Sequence, residues 1–372
     1  MIQNRALGIV FSNTFDYTLP EMTANRAIGS VPFGGKYRFI DFPLSMMANC
    51  GVREILILTK TNYNSLMDHV GVGLPWDLVG KNMGIRIIPP FIYTGRGMYQ
   101  GKLDGLKSAR GLMEASMSEL VVLSDSNLFA NIDLSAAVEY HFAKYSELTA
   151  LYIEKKNNNS EKIPLLSLKT DKEGRVKSFK EHNVNAGDKL CLNIFIVNKK
   201  TLLNILDDAE RAGYVDFNRD FLECRYQDFL MYGYEYKGFS RQIYSLKGYF
   251  EANMELLGDE ARNLFCNPDM PIQTKVRDDA PVTYGLDCEV ENSLLSEGCI
   301  IEGKVENSIL SKGVRIKKGA VVKNSILMQD TEVGEGAVLE YVIADKNVRF
   351  EDKTAAKSDR SAPEYFEKGR VI

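Results

Sequence analysis

ENSLLSEGCIIEGKV (291–305), ENSILSKGVRIKKGAVV (306–322), KNSILMQDTEVGEGAVL (323–339) and EYVIADKNVRFEDK (340–353) follow one another without a break. Each begins with a polar corner. Each then returns single Val, Ile or Leu residues every few positions, interleaved with Gly and polar turns. That period is about one coil of a parallel β-helix. A lone coil cannot bury its apolar side, so the coils must stack. The reading assigns residues 275–352 to a left-handed parallel β-helix of hexapeptide repeats, and 353–372 to a C-terminal tail.

Upstream the texture differs. RALGIVF, REILILTK (53–60), GIRIIPP (84–90), ELVVLSDS (119–126), LTALYIEK and CLNIFIVN read as strands. Helical stretches alternate with them: IDFPLSMMANCG, with Pro43 in its first turn and Gly51 at its end, then NSLMDHVG, LDGLKSARGLMEA, LSAAVEYHFAKYS, KKTLLNILDDAERAG and RDFLECRYQDFLMY. IPLLSLKTDKEGRVKSFKEH is a hairpin turning at Asp171 to Gly174. Residues 1–265 thus form an α/β domain with a mixed, mostly parallel sheet covered by helices on both faces. In such sheets ligands sit beyond the carboxyl ends of the strands. ELVVLSDS breaks from apolar to polar there, as a strand reaching a site does.

The 372 residues suit two domains. With 46 Lys+Arg against 50 Asp+Glu the net charge is −4, which gives no reason to expect nucleic acid. No apolar run approaches a membrane span or a secretory h-region, so a cytoplasmic protein is expected. The six cysteines (Cys50, Cys191, Cys224, Cys266, Cys288, Cys299) are scattered without a C-x-x-C pair, as reduced thiols would be. His69, His141 and His182 lie near no cysteine cluster, so a structural zinc site is not expected.

SVPFGGKYRFIDFPLS (30–45), ANCGVREILILT, GLPWDL (73–78) and YQGKLD (99–104), in this order and followed by the coil repeats, resemble bacterial glucose-1-phosphate adenylyltransferase, or ADP-glucose pyrophosphorylase, over about 350 residues. The details look most like its GlgD-type subunit, the paralogue beside the catalytic subunit in glycogen-making Gram-positive bacteria. The resemblance implies a nucleotidyltransferase-like fold and a reaction in which ATP and glucose 1-phosphate give ADP-glucose and pyrophosphate. Such chemistry rests on positioning and charge neutralisation, and the family brings three devices to it.

All three are altered here. The glycine turn that lets backbone N–H groups approach the triphosphate is replaced by SNTFDYTL (12–19), where Phe15 and Tyr17 would fill the space. Of the two carboxylates for Mg²⁺, Asp125 in LSDSNLFANID remains, with Asp133 at a longer spacing. Aligning the family's K-D-V-G-T back from FEAN (250–253) gives RQIYS and puts Gln242 in the second aspartate's place. The E-K-P motif that meets the sugar phosphate is absent from SFKEHNVNAGDK, where Lys180 and Glu181 stand in reversed order. YQGKLD keeps Tyr99, Gly101 and Asp104, but Lys102 and Leu103 replace small residues. Asp125, Gln242, Lys180, Tyr99, Gly101 and Asp104 are therefore read as vestigial positions. No catalytic residue, metal site or cofactor is expected, Mg²⁺ entering only with residual activity.

In the resembling family the segment around NRAIGSVPFGGKYR contributes to a regulatory phosphate site between the two domains. Arg26, Lys36 and Arg38 are accordingly candidates for a phosphorylated small-molecule effector, with interface salt bridges as the plainer reading. Trp76 either lines the old nucleotide pocket or simply packs. The function expected is a non-catalytic, regulatory, allosteric subunit in glycogen biosynthesis, assembling with the catalytic subunit as a heterotetramer. A weakly active adenylyltransferase is the alternative. A hexapeptide-repeat acyltransferase would need a histidine in the coils, and all three histidines precede residue 183. A guanylyl- or uridylyltransferase meets the same missing carboxylate and lysine.

Overall fold

The computed structural model describes residues 5–80, 83–90, 99–155, 163–265 and 267–372. Cys266 and the loop NNNSEK lie outside the described residues. The N-terminal body is built on one nine-stranded sheet. Four strands, Gly84–Ile88, Glu54–Leu58, Ala6–Phe11 and Leu120–Asp125, run parallel in that spatial order. Lys189–Asn198 then joins Leu120–Asp125 antiparallel. It also pairs antiparallel with Leu148–Glu154 and with the edge hairpin Leu165–Thr170/Val176–His182. The sheet is mixed, with its parallel half at the N-terminal strands. Both faces are packed, which is why these strands read as near-continuous apolar runs.

Helices Asp41–Asn49, Asn64–Val70, Lys102–Ser108, Leu134–Ala143 and Lys199–Ala212 form where periodicity placed them. Pro43 sits in a first turn, and Gly213 ends the last of these helices at φ +72°. The segment read as the helix RDFLECRYQDFLMY is different. A π-type turn at Phe217–Leu222 and two short helical turns lead into the strand Met231–Glu235, which pairs parallel with Leu148–Glu154. The apolar spacing of DFLM fits either period, and pairing with an open strand edge decides it.

The C-terminal region comprises three five-stranded parallel sheets whose strands come in turn from successive coils. Inward positions stack in register: Val290, Val305, Val322, Leu339 and Ala356 in one sheet, Ile301, Ile316, Val333 and Phe350 in another. The polar corners have a physical cause. Asn292, Asn307 and Asn324 take φ between +40° and +47°, a left-handed conformation that Asn tolerates. The serines beside them form a ladder in which each hydroxyl accepts from the next coil's backbone N–H at 3.1 Å. Residues 353–372, expected as a tail, instead complete the solenoid. Ala355–Lys357 and Glu364–Phe366 add the last strands of two sheets, and Arg370 to Ile372 hydrogen-bond to Arg349 and Glu351.

The two bodies share a core. Ile309, Ile326 and Ile343 of the third sheet pack with Phe33, Phe39, Phe129, Tyr249 and Phe250. Each buried ring contributes about 1.5–3 kcal/mol by area removed from water, so the junction behaves as interior. No described helix is long and apolar enough to cross a membrane.

Candidate functional site

Beyond the strand ends the first loop folds in on itself. Ser12 is buried and donates to the Leu58 carbonyl at 2.9 Å. Asn13 donates through Nδ2 to Asp16 at 2.7 Å and to the Thr61 carbonyl at 3.0 Å, while its Oδ1 accepts from Lys60 N–H. Asp16 accepts from Ile28 N–H at 2.8 Å. Burial pushes the Asp16 carboxyl up to about 6, against the pull of Asn13, Ile28 and Lys60. A carboxylate held in the middle of this loop repels phosphate.

Asp125 ends the strand next to that loop, in register with Phe11. Its side chain is 1% exposed, and Lys102 Nζ donates to its Oδ2 at 2.7 Å. Lys102 is itself buried, at the start of its helix, with the rings of Phe11 and Phe15 5.3 and 5.9 Å from the ammonium. Burial raises the Asp125 carboxyl's pKa and the ammonium opposes the rise. The lysine side chain thus occupies the Asp125 oxygen that a metal ion would use.

Gln242 lies at the end of a short strand opposite Leu128, close in sequence to Asp125. Its Nε2 donates to the Cys191 carbonyl at 3.2 Å, and its buried Oε1 meets no donor among the described residues. These groups do not fit a magnesium ion, which takes oxygen ligands and favours carboxylates. One carboxylate is engaged by an ammonium, and the other position is a neutral amide. Among the described residues no three His, Cys, Asp or Glu side chains are grouped to hold a metal.

The other positions singled out in the sequence are dispersed. Tyr99 is buried under Lys60, whose Nζ lies 4.9 Å from the ring centre. Gly101 is required by close approach, since a Cβ there would lie 2.2 Å from the Val215 carbonyl oxygen. Asp104 accepts from Gln100 N–H at 3.2 Å. Lys180 is exposed on the edge hairpin, and the neighbouring Glu181 accepts from Asn218 Nδ2. Trp76 packs: it is buried, and its Nε1 donates to Ser45 Oγ at 3.2 Å.

The reading of the residues missed two features. From the sequence Lys102 reads only as added bulk and not as Asp125's partner. Tyr244 packs edge-to-face on Phe15 at 5.0 Å and joins Leu165, Val184 and Leu190 in an apolar cluster beside Gln242. The signal was present, because the alignment that puts Gln242 on the aspartate of K-D-V-G-T puts Tyr244 on its glycine.

A second site lies between the two bodies. A cleft of about 270 Å³ is lined by Lys36, Arg38, Lys275, Arg277, Lys312 and Lys346, together with His69, and, among the described residues, by no carboxylate. Arg38 Nη1 donates to Ser65 Oγ and O at 2.9 and 2.7 Å. Burial lowers the Lys346 ammonium to about 7, helped by Arg38, Arg26 and Lys368 and opposed by Asp345. His69 Nε2 lies 2.6 Å from Asp41 Oδ1, and burial lowers its pKa nonetheless. Arg26, grouped with Lys36 and Arg38 from the sequence, does not line the cleft. It is buried and bridges the junction to Asp345 Oδ2 at 2.5 Å, where the Tyr365 hydroxyl also donates. So the plainer reading, an interface salt bridge, describes Arg26.

A mixed sheet with a polar loop beyond its first parallel strand, fused to a solenoid of hexapeptide coils, defines a nucleotidyltransferase-class architecture. The nucleotidyl transferase family model matches residues 18–257, and the model of the GlmU-like C-terminal hexapeptide matches 280–365. The chain is 32% identical to the glycogen biosynthesis protein GlgD of Bacillus subtilis, across 100% of this chain and 98% of that protein. It is 34% identical to the glucose-1-phosphate adenylyltransferase of Thermotoga neapolitana, over 81% of this chain and 72% of that enzyme. Identity to the Geobacillus stearothermophilus enzyme of the same name is 31%, over 87% and 84%. The chain belongs to the glucose-1-phosphate adenylyltransferase family, among its GlgD-type members.

Proposed function

We propose that this protein is a non-catalytic, regulatory subunit in ADP-glucose synthesis for glycogen, acting by assembly with a catalytic glucose-1-phosphate adenylyltransferase. One observation carries the reading: the buried Lys102–Asp125 pair, at 2.7 Å, neutralises the surviving metal-ligand position. The inward-tied loop, the Gln242 amide and the Phe15–Tyr244 plug agree with it. A chain that kept its scaffold while its chemistry was closed off can still bias a partner, since favouring the partner's active arrangement is enough. The cationic cleft between the bodies suits a phosphorylated effector, with Lys36, Arg38 and Lys346 as its contacts.

The test is to purify the catalytic subunit with and without this chain and measure ADP-glucose formation across effector concentrations. The reading expects a changed kcat or a changed effector response at equal catalytic-subunit concentration. Identical curves refute it. The alternative, a weakly active adenylyltransferase using Asp125 and a rearranged first loop, requires Lys102 to withdraw from Asp125.

A further inference from the structure

A further cleft, of about 930 Å³, opens where the parallel strands Leu148–Glu154 and Met231–Glu235 end. The helix Leu246–Glu255 contributes Gly248, Glu251 and Ala252 to its wall. Asp125, Lys102, Tyr99 and Lys180 do not line it, and it shares no residue with the cationic cleft. It meets the closed site at Gln242 and at Tyr244, on whose ring Phe15 packs at 5.0 Å. A volume of this size takes a small organic ligand. Ile153, Leu165, Leu190 and Leu192 make part of the lining apolar, and Tyr236, Phe239 and Tyr244 bring three rings. Ser240 and Gln242 stand two apart on one short strand, so they share a face. Ser240 Oγ and Gln242 Oε1 are buried, and neither meets a hydrogen-bond partner among the described residues. Such unpartnered atoms are costly unless something satisfies them, and both residues line this cleft.

Hydrogen-bonding capacity selects the occupant. Gln242 Oε1 and the carboxylates of Glu154, Glu235, Glu251 and Glu260 can only accept, so the ligand must bring donors. A phosphate brings none at neutral pH. The four carboxylates also outweigh Lys155 and Lys237, since the remaining cation, Arg241, donates through Nε to Glu255 at 2.7 Å. An ammonium ligand brings donors, but Lys155 and Lys237 on the same lining oppose it. A metal ion finds no group of three His, Cys, Asp or Glu side chains among the described residues. A hydroxyl both donates and accepts, so it serves carboxylate, amide and ammonium alike. The C–H face of a sugar ring, weakly positive, rests well on the negative face of an aromatic ring.

We propose that this cleft binds a neutral saccharide chain, at a place separate from any site for a sugar phosphate. Tyr236 and Phe239 stack on the sugar rings. Glu235 and Glu251 accept from sugar hydroxyls, and Ser240 and Gln242 meet the innermost ones. Such binding needs neither the closed site nor a metal ion. It gives a chain without chemistry of its own a hold on carbohydrate, and it does not depend on the regulatory reading above.

The experiment is titration calorimetry of the full chain alone with maltoheptaose (α-linked) and cellopentaose (β-linked), beside glucose 1-phosphate and spermidine. At least one glucan is expected to bind with Kd at or below about 1 mM, and the better one identifies the linkage. Glu235→Ala and Phe239→Leu are each expected to weaken that binding by about three- to tenfold. Glu235 is exposed, so its variant should melt with wild type and keeps the test readable if Phe239→Leu loosens the fold. No glucan binding up to about 10 mM overturns the proposal. So does glucan binding indifferent to both variants, which places the sugar elsewhere. Tighter binding of glucose 1-phosphate overturns the separation from sugar-phosphate sites, and tighter binding of spermidine overturns the choice of a neutral ligand. Because the catalytic subunit is absent, each of these failures leaves the regulatory reading standing.

Discussion

Replacing Lys102 by methionine removes the charge and keeps most of the volume. The consequence can be worked from the geometry. Asp125 is 1% exposed and its Oδ2 lies 2.7 Å from the ammonium, so the variant leaves a buried carboxyl without its counter-charge. Breaking a buried pair from one side typically costs about 3–5 kcal/mol. The protein can relieve this by protonating Asp125, at a cost of about 1.4 kcal/mol for each pH unit above the unfolded carboxyl's value near 3.9. The penalty is thereby capped at about 4 kcal/mol at pH 7 and about 1.5 kcal/mol at pH 5. The sign follows from proton counts. With its folded pKa raised further, Asp125 binds more protons in the native state than in the unfolded state. Stability of the variant therefore falls, relative to wild type, as pH rises. At about 2–4 °C per kcal/mol for a body of this size, melting at pH 7 should drop by roughly 6–16 °C. Lys102→Met/Asp125→Leu should recover much of the loss, since a well-packed apolar pair can replace a buried ion pair. Denaturant unfolding of the two single variants and the double variant, at both pH values, closes the cycle. A Lys102→Met penalty below about 1 kcal/mol at pH 7, or one independent of pH, would refute the assignment of this pair as a buried, charge-neutralising lock.

Three further outcomes are expected. The Asp16 carboxyl, pushed up to about 6 by burial, should titrate near pH 6 by carbon-detected NMR; because its folded value exceeds the unfolded one, its contribution to stability is present below about pH 4 and is lost as pH rises through 6. In the inter-body cleft, Lys346 sits at about 7, so inorganic pyrophosphate, measured by calorimetry, should bind more weakly as pH rises through 7 and with net proton uptake near that pH. Lys346→Met should weaken binding by about three- to tenfold and flatten the pH dependence. Gly101→Ala, which sets a Cβ 2.2 Å from the Val215 carbonyl oxygen, should lower stability by about 1–3 kcal/mol in urea unfolding through overpacking.

What the sequence made legible follows from how local each signal is. Pro43 lies in the first turn and Gly51 just past the end of the helix Asp41–Asn49, and the hairpin turns where Gly174 takes φ +87°. The coil repeat is periodic, so a few residues announce the whole solenoid. Long-range pairings left no such mark. Lys102 meets Asp125 through the fold, and a lysine at a helix start ordinarily reads as solvated. Met231–Glu235 became a strand because Leu148–Glu154 offered it an edge. Residues 353–372 carry little coil texture, yet the exposed face of the last coil draws them into register. Arg26, Lys36 and Arg38 are near neighbours in sequence, but Asp345 on the solenoid takes Arg26 out of the cationic cleft. At the candidate site each residue is legible singly in the sequence, while their mutual fit, Phe15 against Tyr244 and Lys102 against Asp125, arises only in the fold.

The most direct test of the central claim is pyrophosphate release by the purified chain alone, given ATP, glucose 1-phosphate and Mg²⁺ at saturating concentrations. A closed site predicts release at the no-enzyme background, unchanged by added inorganic pyrophosphatase. Sustained turnover near the ~10 s⁻¹ of ordinary enzymes, abolished by Asp125→Asn, would contradict the account.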